Sequence, residues 1–142
     1  MKNGTLSLFE LSNKIQEALE ANLPTIVWVT GEISDLKENR SGHCYMELVE
    51  KQESTDQPKA KARATIWSRS YRMLKPFFET STRTALTSGI RVLVQCNVNY
   101  HPVYGLSLNI IDIDPTYTIG DIEHRRQETI NRLIADGVFE MN

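Results

Sequence analysis

Residues 59–67 alternate between polar and apolar side chains, and this pattern limits the possible folds of the chain more than any other feature. A period of two residues is typical of a β-strand, because successive side chains point to opposite faces of the sheet. One face carries small or aliphatic residues that suit the interior of a narrow barrel: Ala60, Ala62, Ala64 and Ile66. The other face carries Lys59, Lys61, Arg63, Thr65 and Trp67. We therefore expect a strand of a small β-barrel.

Four further segments have the composition or the alternation of strands, namely 26–33, 43–48, 91–100 and 106–113. The first is expected to bend or bulge at Gly31, and it precedes a polar loop over 35–42. A polar hairpin loop is expected over 51–58. The last two segments flank turn residues at 101–105, which predicts a second hairpin.

Amphipathic patterns predict three helices. The first follows Ser7, which can form a capping box with Glu10. A short helix is expected to begin with Ser68 as its cap and to be disturbed or ended by Pro76, with a loop from there to residue 88. The third is expected from residue 121 to a C-capping signal at Gly137.

Five strands with a helix between the third and the fourth are the elements of the OB-fold, a five-stranded Greek-key barrel. The sequence thus predicts a mainly β protein. An N-terminal helix (1–24) packs on a barrel (25–116), and a linker helix (117–142) leads onward toward a catalytic domain. A meander of five strands remains possible, because the number of strands does not fix their order.

OB-folds commonly bind single strands across their second and third strands and the neighbouring loops. Here those places combine cations with aromatic rings, which suits single-stranded nucleic acid because bases stack on rings while cations follow phosphates. The final hairpin contains Tyr100, Tyr104 and also His101. The candidate binding residues are Lys37, Arg40, His43, Tyr45, Lys61, Arg63, Trp67, Arg69, Arg72, Tyr100 and Tyr104. A solvated sheet face is the alternative interpretation of this pattern.

The formal charge of −2 does not by itself favour a nucleic-acid partner, because phosphate contacts depend on clustered lysine and arginine. The charges are segregated along the chain, however. Residues 59–78 include lysines and arginines and no acidic residue, whereas most of the charged residues in 47–56 are acidic. This distribution permits a local basic face.

Catalytic chemistry finds little support in the sequence. Cys44 and Cys96 lie in apolar alternating stretches without partners at a metal-ligand spacing, so we expect buried free thiols. Asp112 and Asp114 share a strand face, but a two-metal site needs acidic ligands from several elements. No nucleophile elbow and no Gly-rich phosphate loop is found. We expect no catalytic residue, metal or cofactor in this chain.

No apolar run approaches the roughly 20 residues that a membrane helix needs, so no membrane partner is expected. The first residues lack the apolar stretch and small-residue cleavage site of an export signal. The expected location is the cytoplasm.

Several motifs, in their order along the chain, resemble those of the exodeoxyribonuclease VII large subunit. They are VWVTGEIS at 27–34, SGHCY at 41–45, RATIW at 63–67, YHPVYGLSL at 100–108 and LIADGVF at 133–139. Any one of them alone is weak, and together they are specific. The chain departs from the family at Cys44, where an aromatic is frequent, and in 51–58 and 79–88, which look longer than usual.

The resemblance implies an OB domain that captures single-stranded DNA within a larger hydrolase. Other parts of that large subunit would degrade the strand to oligonucleotides and gather several small subunits. Two alternatives remain open. One is a stand-alone OB module that binds RNA or an anticodon. The other is a structural domain whose aromatic residues anchor an interface within the large subunit.

Overall fold

The computed structural model describes residues 2–135, which form five strands and three helices. In chain order they are α1 (Leu8–Asn22), β1 (Val27–Glu38), β2 (Cys44–Lys51), β3 (Pro58–Ile66), α2 (Ser68–Thr82), β4 (Arg91–His101), β5 (Gly105–Ile113) and α3 (Pro115–Ala135). The strands close into a barrel in the order β1-β2-β3-β5-β4. β3 and β5 are parallel, and the other neighbours are antiparallel. This order confirms the predicted OB-fold and excludes a meander, in which β3 would pair with β4.

Strand alternation places the core where the sequence predicts it. Cys44, Met46 and Leu48 of β2 are buried, and so are Val92, Val94 and Cys96 of β4. The side chains between them point out of the barrel, because a strand turns successive residues to opposite faces. Both cysteines are buried free thiols, as expected.

β1 is longer than the sequence suggests, because it pairs with two strands in succession. Its first half pairs with β4 and its second half with β2, so the predicted loop over 35–42 is wrong for 35–38. The register shifts between Ile33 and Asp35, whereas the bulge was expected at Gly31. Gly31 instead permits a close approach, since a Cβ there would lie 3.4 Å from the Leu48 Cβ.

The start of β3 extends past the closed part of the barrel. Ala60 pairs only with β2, whereas contact with β5 is made at Ala64 and Thr65. The prediction that Ala60 faces the interior is therefore wrong, and its side chain is exposed. Ala64 and Ile66 are buried as predicted, because the inner face of β3 is covered only where the barrel is closed.

α2 continues through Pro76 to Thr82, so the predicted short helix followed by a long loop is wrong. An apolar stripe of Tyr71, Leu74 and Phe78 packs into the core and holds the helix together across the proline. The capping residue is Trp67, which has no side-chain capping bond, and the expected Ser68 cap is also wrong. The left-handed residue Arg83, with φ of 54°, ends the helix.

α3 begins at Pro115, six residues before the predicted amphipathic start at 121. The carboxylate of Asp114 accepts a hydrogen bond from the Thr116 N–H at 2.9 Å, and proline is favoured in the first helical turn because its missing N–H needs no partner. Fully buried Thr118 donates to the Arg91 carbonyl at 2.8 Å and ties α3 to β4. The predicted C-capping signal at Gly137 lies outside the described residues.

The capping box of α1 is confirmed, with the Glu10 N–H donating to Ser7 Oγ at 3.1 Å. α1 lies against β4, but Leu8 is 79% exposed and Leu11 is 45% exposed, so the predicted apolar face is only partly covered. None of the helices within residues 2–135 is both long and apolar enough to span a membrane.

Candidate nucleic-acid interface

A groove of about 710 Å³ crosses the outside of the barrel between the second half of β1 and the β4–β5 hairpin. Its residues come from all five strands, from the position that follows β3 and from the turn between β4 and β5. They are Asp35, Lys37, Tyr45, Met46, Glu47, Arg63, Ala64, Thr65, Trp67, Asn99, His101, Tyr104 and Ser107. Five of the predicted binding residues meet here: Lys37, Tyr45, Arg63, Trp67 and Tyr104.

The strand register brings the groove residues into two cross-strand rows. In one row Tyr45 of β2 lies between Lys37 of β1 and Thr65 of β3. In the next row Glu47 lies between Asp35 and Arg63. Directly opposite residues in antiparallel strands have Cβ atoms about 5 Å apart, so each row forms a continuous strip of side chains.

One wall of the groove is aromatic. Trp67 is 48% exposed and Tyr45 is 42% exposed, so each presents part of its ring to solvent. The His43 ring lies between them, 4.9 Å from the Trp67 ring centroid and 6.4 Å from that of Tyr45, in edge-to-face geometry. Such contacts fix ring orientation while leaving ring faces available.

His43 also has a structural role that the sequence did not suggest. Its Nδ1 accepts a hydrogen bond from the Ser68 N–H at 2.9 Å, which satisfies a free donor at the start of α2. The backbone N–H of His43 donates to Asn39 Oδ1 at 2.9 Å. His43 thus joins the loop after β1 to the helix that follows Trp67, and it supports the aromatic wall.

The opposite wall is the tip of the β4–β5 hairpin. The rings of His101 and Tyr104 lie 4.7 Å apart, and His101 Nδ1 accepts from the Val103 and Tyr104 N–H groups at 3.0 and 3.3 Å. The Arg63 guanidinium donates to the Tyr104 carbonyl. Arg63 therefore links β3 to the hairpin as well as lining the groove.

The groove contains acidic side chains beside the basic ones. Lys37 Nζ lies 3.9 Å from Asp35 Oδ2, and Lys61 Nζ lies 3.6 Å from Glu47 Oε2. The Ser34 hydroxyl donates to Glu47 Oε1 at 2.8 Å. Lys61 does not line the groove, and it borders it through this ion pair.

A cluster behind the aromatic wall fixes α2 against the end of β1. Tyr71 Oη and Lys75 Nζ both donate to Glu38 Oε1 at 3.0 Å. The Lys75 hydrogen bond, followed by that of Tyr71, holds the pKa of Glu38 below its ordinary value, and the same bond raises the pKa of Lys75. Burial raises the pKa of Tyr71 and that of Cys44, the latter to about 11. These groups position the helix and do not open into the groove.

Several predicted residues lie away from the groove lining. Tyr100 is on the row of β4 that faces the core, two residues after Val98, so its ring is not presented beside Asn99 and His101. Arg69 and Arg72 are exposed on α2, and Arg40 is exposed in the loop after β1. None of these three arginines lines the groove.

Four polar residues that line the groove were not expected there: Asp35, Glu47, Asn99 and Ser107. The alternation of β2 already put Glu47 on the same face as Tyr45, and this was the available signal. Asp35 was missed because only cations and aromatic rings were expected to contact a nucleic acid. Asp112 and Asp114 are not in the groove, and each accepts a hydrogen bond from a backbone N–H, at Ile113 and Thr116 respectively.

Comparison with known proteins gives a consistent result. The family model described as "OB-fold nucleic acid binding domain" matches residues 6–114. The exodeoxyribonuclease 7 large subunit of Deinococcus radiodurans is 36% identical over 141 residues, covering 96% of this chain and 33% of that protein. The same subunit of Rhodopirellula baltica is 27% identical, covering 95% of this chain and 27% of that protein. The chain thus spans about a third or less of the length of these relatives.

Among solved structures, the mitochondrial single-stranded DNA-binding protein Rim1 of S. cerevisiae aligns over 63% of this chain and 90% of its own. The sequence identity is 16% and the TM-score is 0.44.

Proposed function

The chain belongs to the family of OB-fold nucleic acid binding domains, and from this premise we propose that it captures single-stranded DNA for an exodeoxyribonuclease VII large subunit. The motifs that resemble that subunit agree with the relatives that carry its name. The observation that carries the proposal is the groove with half-exposed aromatic rings on one wall and a histidine–tyrosine pair on the other.

Stacking explains why this groove suits a single strand. Each base stacked on an aromatic ring contributes roughly 1–3 kcal/mol, and every base has a face that can stack. In a duplex those faces are already covered by neighbouring bases. Trp67, Tyr45 and Tyr104 are exposed enough to receive a base, and we propose that Lys37, Lys61 and the exposed Arg40 follow the phosphates.

The proposal assigns capture to this domain and hydrolysis to other parts of the parent protein. We propose that the large subunit degrades single-stranded DNA to oligonucleotides in the cytoplasm and joins small subunits through parts outside this chain. No metal or cofactor is assigned to this domain, since its groove combines aromatic and ion-paired side chains rather than a convergent set of ligands.

Fluorescence anisotropy of a labelled mixed-sequence oligonucleotide, titrated with the chain, tests the proposal. We expect saturable binding that weakens with salt and that duplex DNA does not displace. Trp67→Ala should weaken binding by about 5- to 150-fold, which corresponds to the loss of one stacked base. Trp28→Ala is the matched control, because Trp28 is 50% exposed against 48% for Trp67 and lies outside the groove lining.

Tyr45→Ala gives an independent check, because its ring lies in the same wall but not next to the start of α2. Circular dichroism of each variant confirms that the barrel is intact. The proposal fails if the chain does not bind the single strand, or if both variants bind it as tightly as Trp28→Ala does. Stronger binding of the matching RNA oligonucleotide would favour the RNA-binding alternative instead.

A further inference from the structure

The groove is not a purely cationic channel. Two lysine or arginine residues, Lys37 and Arg63, and two carboxylates, Asp35 and Glu47, line it. A surface that follows a phosphate backbone has an excess of lysine and arginine. The two carboxylates would repel phosphates, so a strand that enters the groove must turn its bases toward them and leave its phosphates at the rim.

The carboxylates lie where the edge of a stacked base would be. Glu47 follows Tyr45 by two residues on the same face of β2, and a strand rises about 3.3 Å per residue, so the two side chains are about 7 Å apart along the strand. This distance matches the width of a base. A base stacked on Tyr45 therefore presents its edge to the row formed by Asp35, Glu47 and Arg63.

Glu47 is held in place to act on such an edge. The Ser34 hydroxyl donates to Oε1 at 2.8 Å, which fixes the carboxylate, and the Lys61 ammonium stays 3.6 Å from Oε2 on the solvent side. Each carboxylate oxygen has more than one acceptor site, so both oxygens can still accept a further hydrogen bond. A group that donates a hydrogen bond would be favoured here, and one that only accepts would be repelled.

We infer that the groove selects bases that carry an exocyclic amino group, with Glu47 as the specificity-determining residue and Asp35 beside it. Carboxylates accept hydrogen bonds from the N4 amino group of cytosine. Uracil and thymine present a carbonyl oxygen at the same position, and this oxygen would face the negative charge. The inference rests on the proposed function, because it concerns the same groove and the same single strand.

The sharpest test compares oligo-dC with oligo-dU. The two bases differ at position 4 and at the adjacent ring nitrogen, and oligo-dU avoids the extra methyl group that thymine carries. At slightly alkaline pH, where oligo-dC is unstructured, we expect the Kd for oligo-dC to be about five- to tenfold lower than that for oligo-dU. In Glu47→Gln the ratio should fall close to one, because the amide offers a donor as well as an acceptor.

The ratio of the two affinities is the informative quantity, since removal of a negative charge will strengthen binding of every oligonucleotide. Glu50→Gln is the control for this effect. Glu50 lies on the same strand, pairs with Lys59 at 3.5 Å, and is outside the groove lining, so the variant should keep the wild-type ratio.

The outcomes separate the two claims. Equal affinity of the wild-type chain for oligo-dC and oligo-dU overturns the inference and leaves strand capture standing. A wild-type preference that persists unchanged in Glu47→Gln also overturns it. If neither oligonucleotide binds, the proposed function fails and the inference fails with it.

Discussion

Two adjacent phenylalanines of α2 allow a direct test of how that helix is built. Phe78 is fully buried in the core, whereas Phe77, about 100° around the helix from it, is 54% exposed. Replacing a buried phenylalanine by alanine costs about 3–5 kcal/mol, because burial is lost and a cavity remains. Half of a phenylalanine side chain is covered at Phe77, so Phe77→Ala should cost only about 1 kcal/mol.

Thermal unfolding of the two variants measures the difference. For a chain of this length, 1 kcal/mol corresponds to roughly 3 °C in Tm, so Phe78→Ala should unfold about 9–15 °C lower than the wild type. Phe77→Ala should unfold only about 3 °C lower. The two substitutions are chemically identical and one residue apart, so they differ only in the direction of the side chain. Equal losses would refute a helix that continues through Pro76 with Phe78 inside.

Three further predictions concern the groove and the cluster behind it. Because burial raises the pKa of the Cys44 thiol to about 11, this thiol should not react with a disulfide reagent at pH 8 until guanidinium unfolds the chain, and rapid reaction in the native state would contradict its burial. The Lys75 hydrogen bond lowers the pKa of Glu38 from 4.5, so Glu38 stabilises the fold above that pH and loses this effect as the pH falls through its lowered pKa. The Tm difference between wild type and Glu38→Gln should accordingly shrink in acid, and a constant difference would contradict the assignment. Arg63 holds the hairpin by the Tyr104 carbonyl, so Tyr104→Ala should weaken DNA binding less in an Arg63→Ala background than alone; additive losses in an anisotropy titration would show that the two act independently.

Most of the fold follows from the local alternation of polar and apolar residues. The predicted bounds of strands and helices are wrong where a long-range contact determines them. A barrel of five short strands leaves a clear period of two in β2 and β4, which the sequence shows directly. The predicted β1 was too short because Leu36 is the single apolar residue from Asp35 to Glu38, and pairing with β2 extends the strand there. The predicted α2 was too short because proline has a low helix propensity. In the structure, Tyr71 and Phe78 pack into the core and stabilise the helix on both sides of Pro76.

The candidate site was predictable in its chemistry and less so in its boundaries. Tyr45, Arg63 and Trp67 were found because alternation and strand pairing put them on one face. Tyr100 was grouped with Tyr104 because the two are close in sequence, but Tyr100 lies on the same face of β4 as Val98, and its neighbours Asn99 and His101 line the groove instead. Which side chains meet across the barrel depends on the register between strands that are distant in sequence. That register could not be read from the sequence alone.

Contacts within the protein hold the aromatic wall in place. Trp67 follows β3 and caps α2 with its backbone, and the first N–H of that helix, from Ser68, donates to His43, the residue before β2. Further along α2, Tyr71 is bound to Glu38 at the end of β1. The edge-to-face contact with the His43 ring orients the Trp67 ring, and the Tyr71–Glu38 bond holds the helix that follows it. Less ordering of this side chain is then needed when a base stacks on it, so more of the stacking free energy remains as affinity.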